Sequence, residues 1–593
     1  MLDDCLDIFE KEYSINGEAI ILDRYTPDSG LYLLVDSSGA VIKTAEVDNK
    51  GTNRHLYNDF IEMDYLSGLL DMNKPIDAKK TVKSNNYLSF LVKIADLIED
   101  PKTKKIKLDE ECIDRYFDTL ATINSKYKGN KHSTKLYENV LNQVGEIDLE
   151  KLESCKVWIK ENIFTLLDKY SVDKKYKYVK VFFDADIKLY KSESDRYVYP
   201  NLFNSNDYNE YIDGVIYGLP NNNMGMNSKK PYLKRIDRDI KVPLIVSLEK
   251  AMLMKKFFDY LACLVDGEDK RLNLYIGDNN GLDPISDSSL KDTNFEGIYL
   301  RLAKEKNEVE IVDYDVISNY TPNLKDLVIK EIIPSIAKKI ADSDNSLVYK
   351  EVTKLDELRA ILSITFFNKF LVTNFFTPPK NIRLSDLAIK DELIKTRAAY
   401  FDWFYKNDKN RITSDFEASS LRLIKNSIFN GYDPRAREQF NLRNAINVYL
   451  KGSVVDMSNM VQKYYEELSR KIISEEFIPC ETDAEYYFAI GQISYYLLSQ
   501  SNSSKRNMSE IDFIINCKTS ETLILRLKRL FKKYSYSIPA NVKKFSKLYS
   551  IILAYTPINA QVDDSMVLAG YLFSNMLFKA NNNSNLGVSA NGQ

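Results

Sequence analysis

The chain has 593 residues, 44% of them apolar, which exceeds what one hydrophobic core organises and predicts two or three domains. Its 82 Lys and Arg against 85 Asp and Glu leave a formal charge of −3, which excludes a binder that is basic over its whole surface and confines any nucleic-acid contact to local patches. Six cysteines (Cys5, Cys112, Cys155, Cys263, Cys480, Cys517) stand far apart without a C-x-x-C pair, and only His55 and His132 are there to supplement them, so no zinc site is expected and the thiols read as small apolar residues of a reducing compartment.

The start, Met1-Leu2-Asp3-Asp4, has neither the cationic end nor the apolar stretch of a secretory signal, and no uncharged run reaches the roughly 20 residues of a membrane span. A cytoplasmic protein without membrane contact is therefore expected. The 40 tyrosines, with abundant Lys, Asn and Ile, are what AT-rich codons produce, and by themselves they do not mark base stacking.

The first 50 residues read as a helix followed by strands at Ala19–Leu22, Leu31–Val35 and Val41–Ala45, the last two around a Ser37-Ser38-Gly39 turn. Helical periodicity follows at Tyr57–Leu70 and Tyr87–Ile98, then an exposed basic linker from Pro101 to Lys107. Strand patterns return at Tyr178–Phe183, Gly214–Tyr217 and Leu272–Ile276, and at Gly297–Leu302 with Val309–Tyr314, a hairpin. The polar run Ala341–Ser346 marks a boundary. Beyond it the pattern is helical: Glu351–Phe376, Leu384–Tyr405, Phe416–Phe429 and Leu442–Leu450, with breaks at Pro378-Pro379 and Pro434, then five or six amphipathic segments from about Gly452. The fold class is α+β: a mixed α/β domain over 1–345, a helical connector over 346–455, a helical bundle over 456–579, and an Asn/Ser/Gly-rich tail over 580–593 expected to be disordered.

Two stretches carry binding chemistry. Gly218 to Lys230 leaves a short strand and holds Asn221, Asn222 and Asn223, whose amides pair donor and acceptor as base edges do, ahead of the basic residues Lys229, Lys230 and Lys234. The competing reading is an Asn-rich turn beside a solvated helix. Between Glu521 and Ser550, Arg526, Lys528, Arg529, Lys532, Lys533, Lys543, Lys544 and Lys547 face a single acidic residue. Leu523, Leu527, Leu530 and Tyr534 share one helical face there, and the cations line the rest, as on a helix packed on a bundle and turned toward phosphates. A merely solvated face is the alternative.

Enzymatic readings are weaker. Asp184 and Asp186, two apart at a strand end, can point the same way and hold Mg²⁺, but no third ligand or general base stands near them in sequence, and acidic residues commonly end strands. There is no G-x-x-x-x-G-K-[ST] and no G-x-G-x-x-G opening a helix, so no catalytic residue, cofactor or metal is assigned.

Several segments together resemble the large subunit of the type I-B CRISPR Cascade, in its Csh-type branch. They are Ile21-Leu22-Asp23 with Tyr25; Ser84-Asn85-Asn86-Tyr87-Leu88-Ser89-Phe90; Phe182-Phe183-Asp184 followed by Asn201-Leu202-Phe203-Asn204; Gly214 through Leu233; and Phe488-Ala489-Ile490-Gly491-Gln492 with Tyr495-Tyr496-Leu497-Leu498. The resemblance implies a non-catalytic subunit of a crRNA-guided antiviral complex that inspects target double-stranded DNA for the protospacer-adjacent motif and helps open it, while guide pairing reads the sequence. Its implied partners are crRNA, target DNA, the subunit holding the crRNA handle, the repeated backbone subunits, and a helicase-nuclease recruited in trans. On this reading Asn221, Asn222 and Asn223 touch motif bases, Met224 is a candidate wedge, and Lys229, Lys230 and Lys234 anchor the backbone. Arg526, Arg529, Lys532, Lys533, Lys543 and Lys544 guide a strand along the bundle, which resembles the helical small subunit of related complexes. That small subunit is expected also as a separate product of an internal start at Met457 or Met460. The rival readings are a metal-dependent nuclease using Asp184 and Asp186, and a helical protein-binding scaffold.

Overall fold

The computed structural model describes residues 1–48, 53–99, 105–123, 131–173, 175–221, 244–266, 270–305, 308–334, 349–452, 457–501, 509–538 and 543–578. The chain forms two compact units, Met1–Asp287 with Glu296–Val316, and Ser288–Phe295 with Ile317–Gln593. The expected boundary at Ala341–Ser346 and the expected disordered tail at 580–593 lie outside the described residues, as does most of the Pro101–Lys107 linker.

The first unit opens with helix α1 (Leu2–Asn16) and the single turn α2 (Ala19–Leu22). The predicted strand at Ala19–Leu22 is thus corrected: a four-residue apolar run cannot distinguish a strand from a turn of helix, and here the amides of Ile21 and Leu22 both close on the Glu18 carbonyl, at 3.0 and 2.9 Å. The central sheet follows, made of β1 (Gly30–Val35), β2 (Val41–Val47), β3 (Ser89–Lys93) and β4 (Tyr178–Phe183) in the order β2-β1-β4-β3. β1 runs parallel to β4, and the two edge strands are antiparallel to their neighbours. Both faces are covered. Phe60 of α3 (Asn58–Ser67) packs on Tyr32 and Phe182, while Trp158, from a helix on the opposite face, meets Phe183 edge-on at 5.8 Å. That is why the two inner strands read as apolar runs without alternation.

The exception in β4 is Lys180, 3% exposed, whose ammonium lies 2.6 and 2.8 Å from the Asp64 carboxylate of α3. Asp64 also accepts from the Tyr25 hydroxyl at 3.1 Å, so this buried pair is hydrogen-bonded beyond its own charge, the condition for tolerating charge inside a core.

The segment Tyr87–Ile98, predicted helical, is instead β3 followed by the turn α4 (Ile94–Leu97). Asn86 overrides the helical pattern, because its side-chain oxygen takes the Leu88 amide at 3.0 Å and the Ser89 hydroxyl at 3.2 Å, and the following residues then pair with β4. The helices α5 (Glu110–Ala121), α6 (Lys131–Val144), α7 (Leu149–Asn162, which carries Trp158), α8 (Leu166–Lys169), α9 (Ile187–Asn201) and α10 (Leu248–Leu264) complete the helical part of this unit. A small sheet of β5 (Glu210–Ile212), β6 (Val215–Gly218) and β7 (Val246–Ser247) stands beside α10. A third, antiparallel sheet has the order β11-β10-β8-β9, with β8 at Arg271–Gly277, β9 at Gly281–Ser286, β10 at Phe295–Glu305 and β11 at Glu308–Tyr320. The expected β10–β11 pair is present; β9 was not foreseen, because its partly exposed Gly-Leu-Asp-Pro-Ile-Ser carries no clean alternation.

The second unit is helical after β11: α11 (Leu355–Phe367), α12 (Phe370–Thr373), α13 (Leu387–Lys406), α14 (Asn410–Phe429), α15 (Asp433–Lys451), α16 (Met457–Ile473), α17 (Asp483–Ser499), α18 (Ser509–Ile515), α19 (Ser520–Tyr534), α20 (Lys543–Leu553) and α21 (Asp564–Leu572). The expected break at Pro434 is present between α14 and α15, with Pro434 itself in the first turn of α15, where its missing N–H costs nothing. Every residue of α17 from Glu485 to Ser494 is buried, which makes it the central helix of the bundle.

Gly491 of α17 and Gly570 of α21 explain how the central helix is approached so closely. A Cβ on Gly491 would lie 2.2 Å from the Val567 carbonyl oxygen, and one on Gly570 would lie 2.0 Å from that of Phe488. The neighbouring Gln492 then spans the contact, donating to Gly570 O at 2.6 Å and accepting from the Met576 amide at 3.0 Å. The Phe488–Gln492 motif is therefore a helix-crossing device. All six cysteines are free thiols, Cys263 half-buried and the others buried. No helix among the described residues is long and apolar enough to cross a membrane.

Candidate nucleic-acid interface

The Asn-rich segment begins at the small sheet of the first unit. β6 pairs with β7 through Tyr217↔Ser247 and Gly218↔Val246, so the chain leaves the sheet after Gly218 and re-enters it on the adjacent strand. The stem is packed without slack. A Cβ on Gly218 would come within 2.5 Å of Asn209 Oδ1 and 2.6 Å of the Phe203 ring, so only glycine fits. The Asn204 amide donates to Leu219 O at 2.8 Å, Phe203 bridges Pro220, and Asn204 Nδ2 reaches Asn221 Oδ1 at 3.4 Å. Of the predicted motif readers, Asn221 is thus tied to the stem. Asn222, Asn223, Met224, Lys229, Lys230 and Lys234 lie outside the described residues.

Lys74 braces this stem from below. Its ammonium donates to Asn201 O at 2.7 Å and to Phe203 O, and burial depresses its pKa to about 8. The asparagines of Ser84-Asn85-Asn86 serve packing as well: both are 1% exposed, and Asn85 Nδ2 donates to Leu66 O and Gly68 O at 2.9 and 2.8 Å. They cannot reach a base edge.

The second predicted site divides once folded. Leu523, Leu527, Leu530 and Tyr534 of α19 are buried, as the periodicity requires. Lys528, Arg529 and Lys532 on α19, with Lys543 and Lys544 at the start of α20, are exposed and have no acidic partner among the described residues. The other cations are engaged within the bundle. Arg526 donates to Phe513 O at 2.5 Å with its guanidinium over the Phe513 ring, Lys533 pairs with Glu510, and Lys547 donates to Ser474 O and Glu476 O at 3.1 and 2.8 Å. Beside the exposed cations, Phe531 of α19 meets Tyr549 of α20 at 4.7 Å and Phe545 at 5.5 Å between ring centroids. Phe531 and Tyr549 are each partly exposed, a pairing of rings with lysines that sequence reasoning passed over because the two rings sit on different helices.

Asp186 is the N-cap of α9, its carboxylate accepting from the Lys188 amide at 2.8 Å. Asp184 is exposed, and its amide pairs with Val35 O at 2.7 Å. Among the described residues no three His, Cys, Asp or Glu side chains come together as metal ligands.

No protein-family model, curated protein or solved structure matches the chain.

Proposed function

We propose that the chain is the large subunit of a crRNA-guided type I-B surveillance complex of the Cascade kind, which inspects target double-stranded DNA for an adjacent motif and guides an opened strand along its helical unit. It binds and does not cut. The observation that carries the reading is the exposed set Lys528, Arg529, Lys532, Lys543 and Lys544: an acidic protein has gathered on two neighbouring helices cations that have no acidic partner among the described residues, for which a phosphate backbone is the matching surface. The resemblance of the Gly214–Leu233 and Phe488–Leu498 segments adds the family, and the tightly built stem under the Asn-rich loop is what a loop that must present its side chains in register requires. Partners on this reading are crRNA, the handle-holding and backbone subunits, a small helical subunit begun at Met457 or Met460, and a helicase-nuclease.

The test is target binding by the reconstituted crRNA complex with Asn221→Ala/Asn222→Ala/Asn223→Ala. Loss confined to motif-bearing duplex, with pre-opened target still bound, is the expected result. Unchanged discrimination would remove the loop from motif reading, and Mg²⁺-dependent cleavage by the purified chain, abolished in Asp184→Ala, would favour a nuclease instead.

A further inference from the structure

The first unit contains a cleft of about 360 Å³ between α1, α3, α9 and α10, within the range of small-ligand sites. Tyr13, Tyr25, Tyr65 and Tyr199 contribute to its walls. One side is chemically closed. Lys256 donates to both oxygens of Glu18 at 2.7 and 2.8 Å, the Tyr13 hydroxyl donates to Glu18 at 2.7 Å, the Tyr65 hydroxyl donates to Asp259 at 2.7 Å, and Lys255 pairs with the same carboxylate at 2.5 Å. Burial pushes the Glu18 carboxyl up, yet Lys256 and the Tyr13 hydroxyl outweigh it and hold that group below its ordinary range.

The other side is open. Lys191, Asp195 and Tyr199 follow one another at intervals of four along α9, so they form a single stripe with a step of about 6 Å. Among the described residues none of the three has a hydrogen-bond or ion-pair partner. A cation, a carboxylate and a phenol are thus presented in a row, opposite a wall whose own charges are already satisfied. Asp195 feels the lack: burial raises its carboxyl above the usual range, as expected for an acceptor that awaits a donor.

The chemistry narrows the guest. A simple anion would find Lys255 and Lys256 already bonded to carboxylates, and a simple cation would meet Lys191 beside the acceptor it needs. A guest with an anionic end, a flat ring and N–H donors satisfies all three open groups. We propose that the cleft takes a nucleotide whose base carries an exocyclic amine, adenylate, cytidylate or guanylate, free or as one member of a single strand. Lys191 at the rim meets the phosphate, the tyrosine rings flank the base, and Asp195 accepts from the amine. Uridylate places a carbonyl oxygen where the amine would be, against the Asp195 carboxylate. The proposal extends the nucleic-acid reading given above but occupies a different surface from the basic face of α19 and α20.

Calorimetry on the full chain with AMP, CMP and UMP tests it. AMP and CMP are expected to bind at least about ten-fold more tightly than UMP, Asp195→Ala to erase that preference, and Lys191→Gln to weaken all three several-fold. Melting temperature should not fall in either variant, since neither side chain holds a partner in the fold. Parallel titrations with oligo-dC and oligo-dT separate the sources: a preference seen only with oligomers assigns the cleft to a strand, and equal preference with mononucleotides assigns it to free nucleotide. A wild-type chain that does not distinguish the bases, or a preference that survives Asp195→Ala, overturns the proposal. If the preference holds while the crRNA complex fails to bind target, the cleft stands and the surveillance function falls.

Discussion

At the scale of single residues, steric and electrostatic constraint can be traced to named atoms. Gly491 has no room for a methyl group, because the new Cβ would meet Val567 O at 2.2 Å and the Tyr571 amide nitrogen at 2.6 Å, both backbone atoms that can move only if α17 and α21 part. Gly491→Ala is therefore expected to destabilise the bundle by about 3 kcal/mol or more, seen as a lower denaturation midpoint at unchanged slope. Gln492→Leu should also destabilise, because it strands the Gly570 carbonyl and the Met576 amide inside the core at a cost of roughly 1–3 kcal/mol each. Lys74 gives a pH signature. Its folded pKa of about 8 lies below the ordinary 10.5, so between those values the unfolded chain binds the extra proton and stability rises with pH through that window. In Lys74→Met this contribution is gone. The difference between wild-type and variant unfolding free energies should grow in favour of the wild type from pH 8 to 10.5, and a difference flat across that range would show that the ammonium is not desolvated.

At the scale of elements, the five exposed cations of α19 and α20 are proposed to act as one surface. If each meets a phosphate of a single strand, the logarithm of affinity falls with that of salt at a slope of about −3.5, or roughly a hundred-fold between 50 and 200 mM. Changing Lys528, Arg529, Lys532, Lys543 and Lys544 to Gln should abolish most of that slope, whereas Phe531→Leu should lower affinity with the slope kept, because stacking is not a counterion effect. Salt titrations of fluorescent single-strand binding read both. This surface was legible in the sequence, since its residues lie on two helices close in the chain and the helical period alone sorts them from Leu523, Leu527 and Leu530. Its internal division was not, because Glu510 and the Phe513 carbonyl come from α18 and their claims on Lys533 and Arg526 are tertiary. The same distinction runs through the fold. β1, β4 and β8 announced themselves by mainly apolar runs, interrupted only by Lys180 in β4 and Asn273 in the Leu272–Ile276 stretch of β8, whereas β3 was masked by a helix-like pattern until Asn86 and the neighbouring β4 were in place. The cleft was invisible for a stronger reason: α1, α3, α9 and α10 bring its residues together from positions as distant as Tyr13 and Asp259.

At the scale of the whole molecule, the reach of the second core bears on the proposed internal start. The hydrophobic cluster that contains α16 to α21 does not end at Met457: Ile424 and Ile428 of α14, and Ala436 and Phe440 of α15, belong to it, each essentially inaccessible to solvent. Lys425 of α14 also pairs with Asp564 of α21 at 2.9 Å. A product running from Met457 to the end of the chain would therefore carry the six helices of the bundle with one apolar flank uncovered and Asp564 without its lysine. Such a fragment is expected to be helical but less stable than one beginning at Lys409, by several kcal/mol, since Ile424, Ile428 and Phe440, at roughly 1.5–3 kcal/mol each, are withdrawn from the cluster together with Ala436. Thermal melts of the two fragments, with a dye that reports exposed apolar surface, measure this directly. If the shorter fragment matches the longer in both, the flank closes on itself and a free small subunit needs no partner. If it melts lower and binds dye, any small subunit made from Met457 must find in its assembly the cover that α14 and α15 supply within the intact chain.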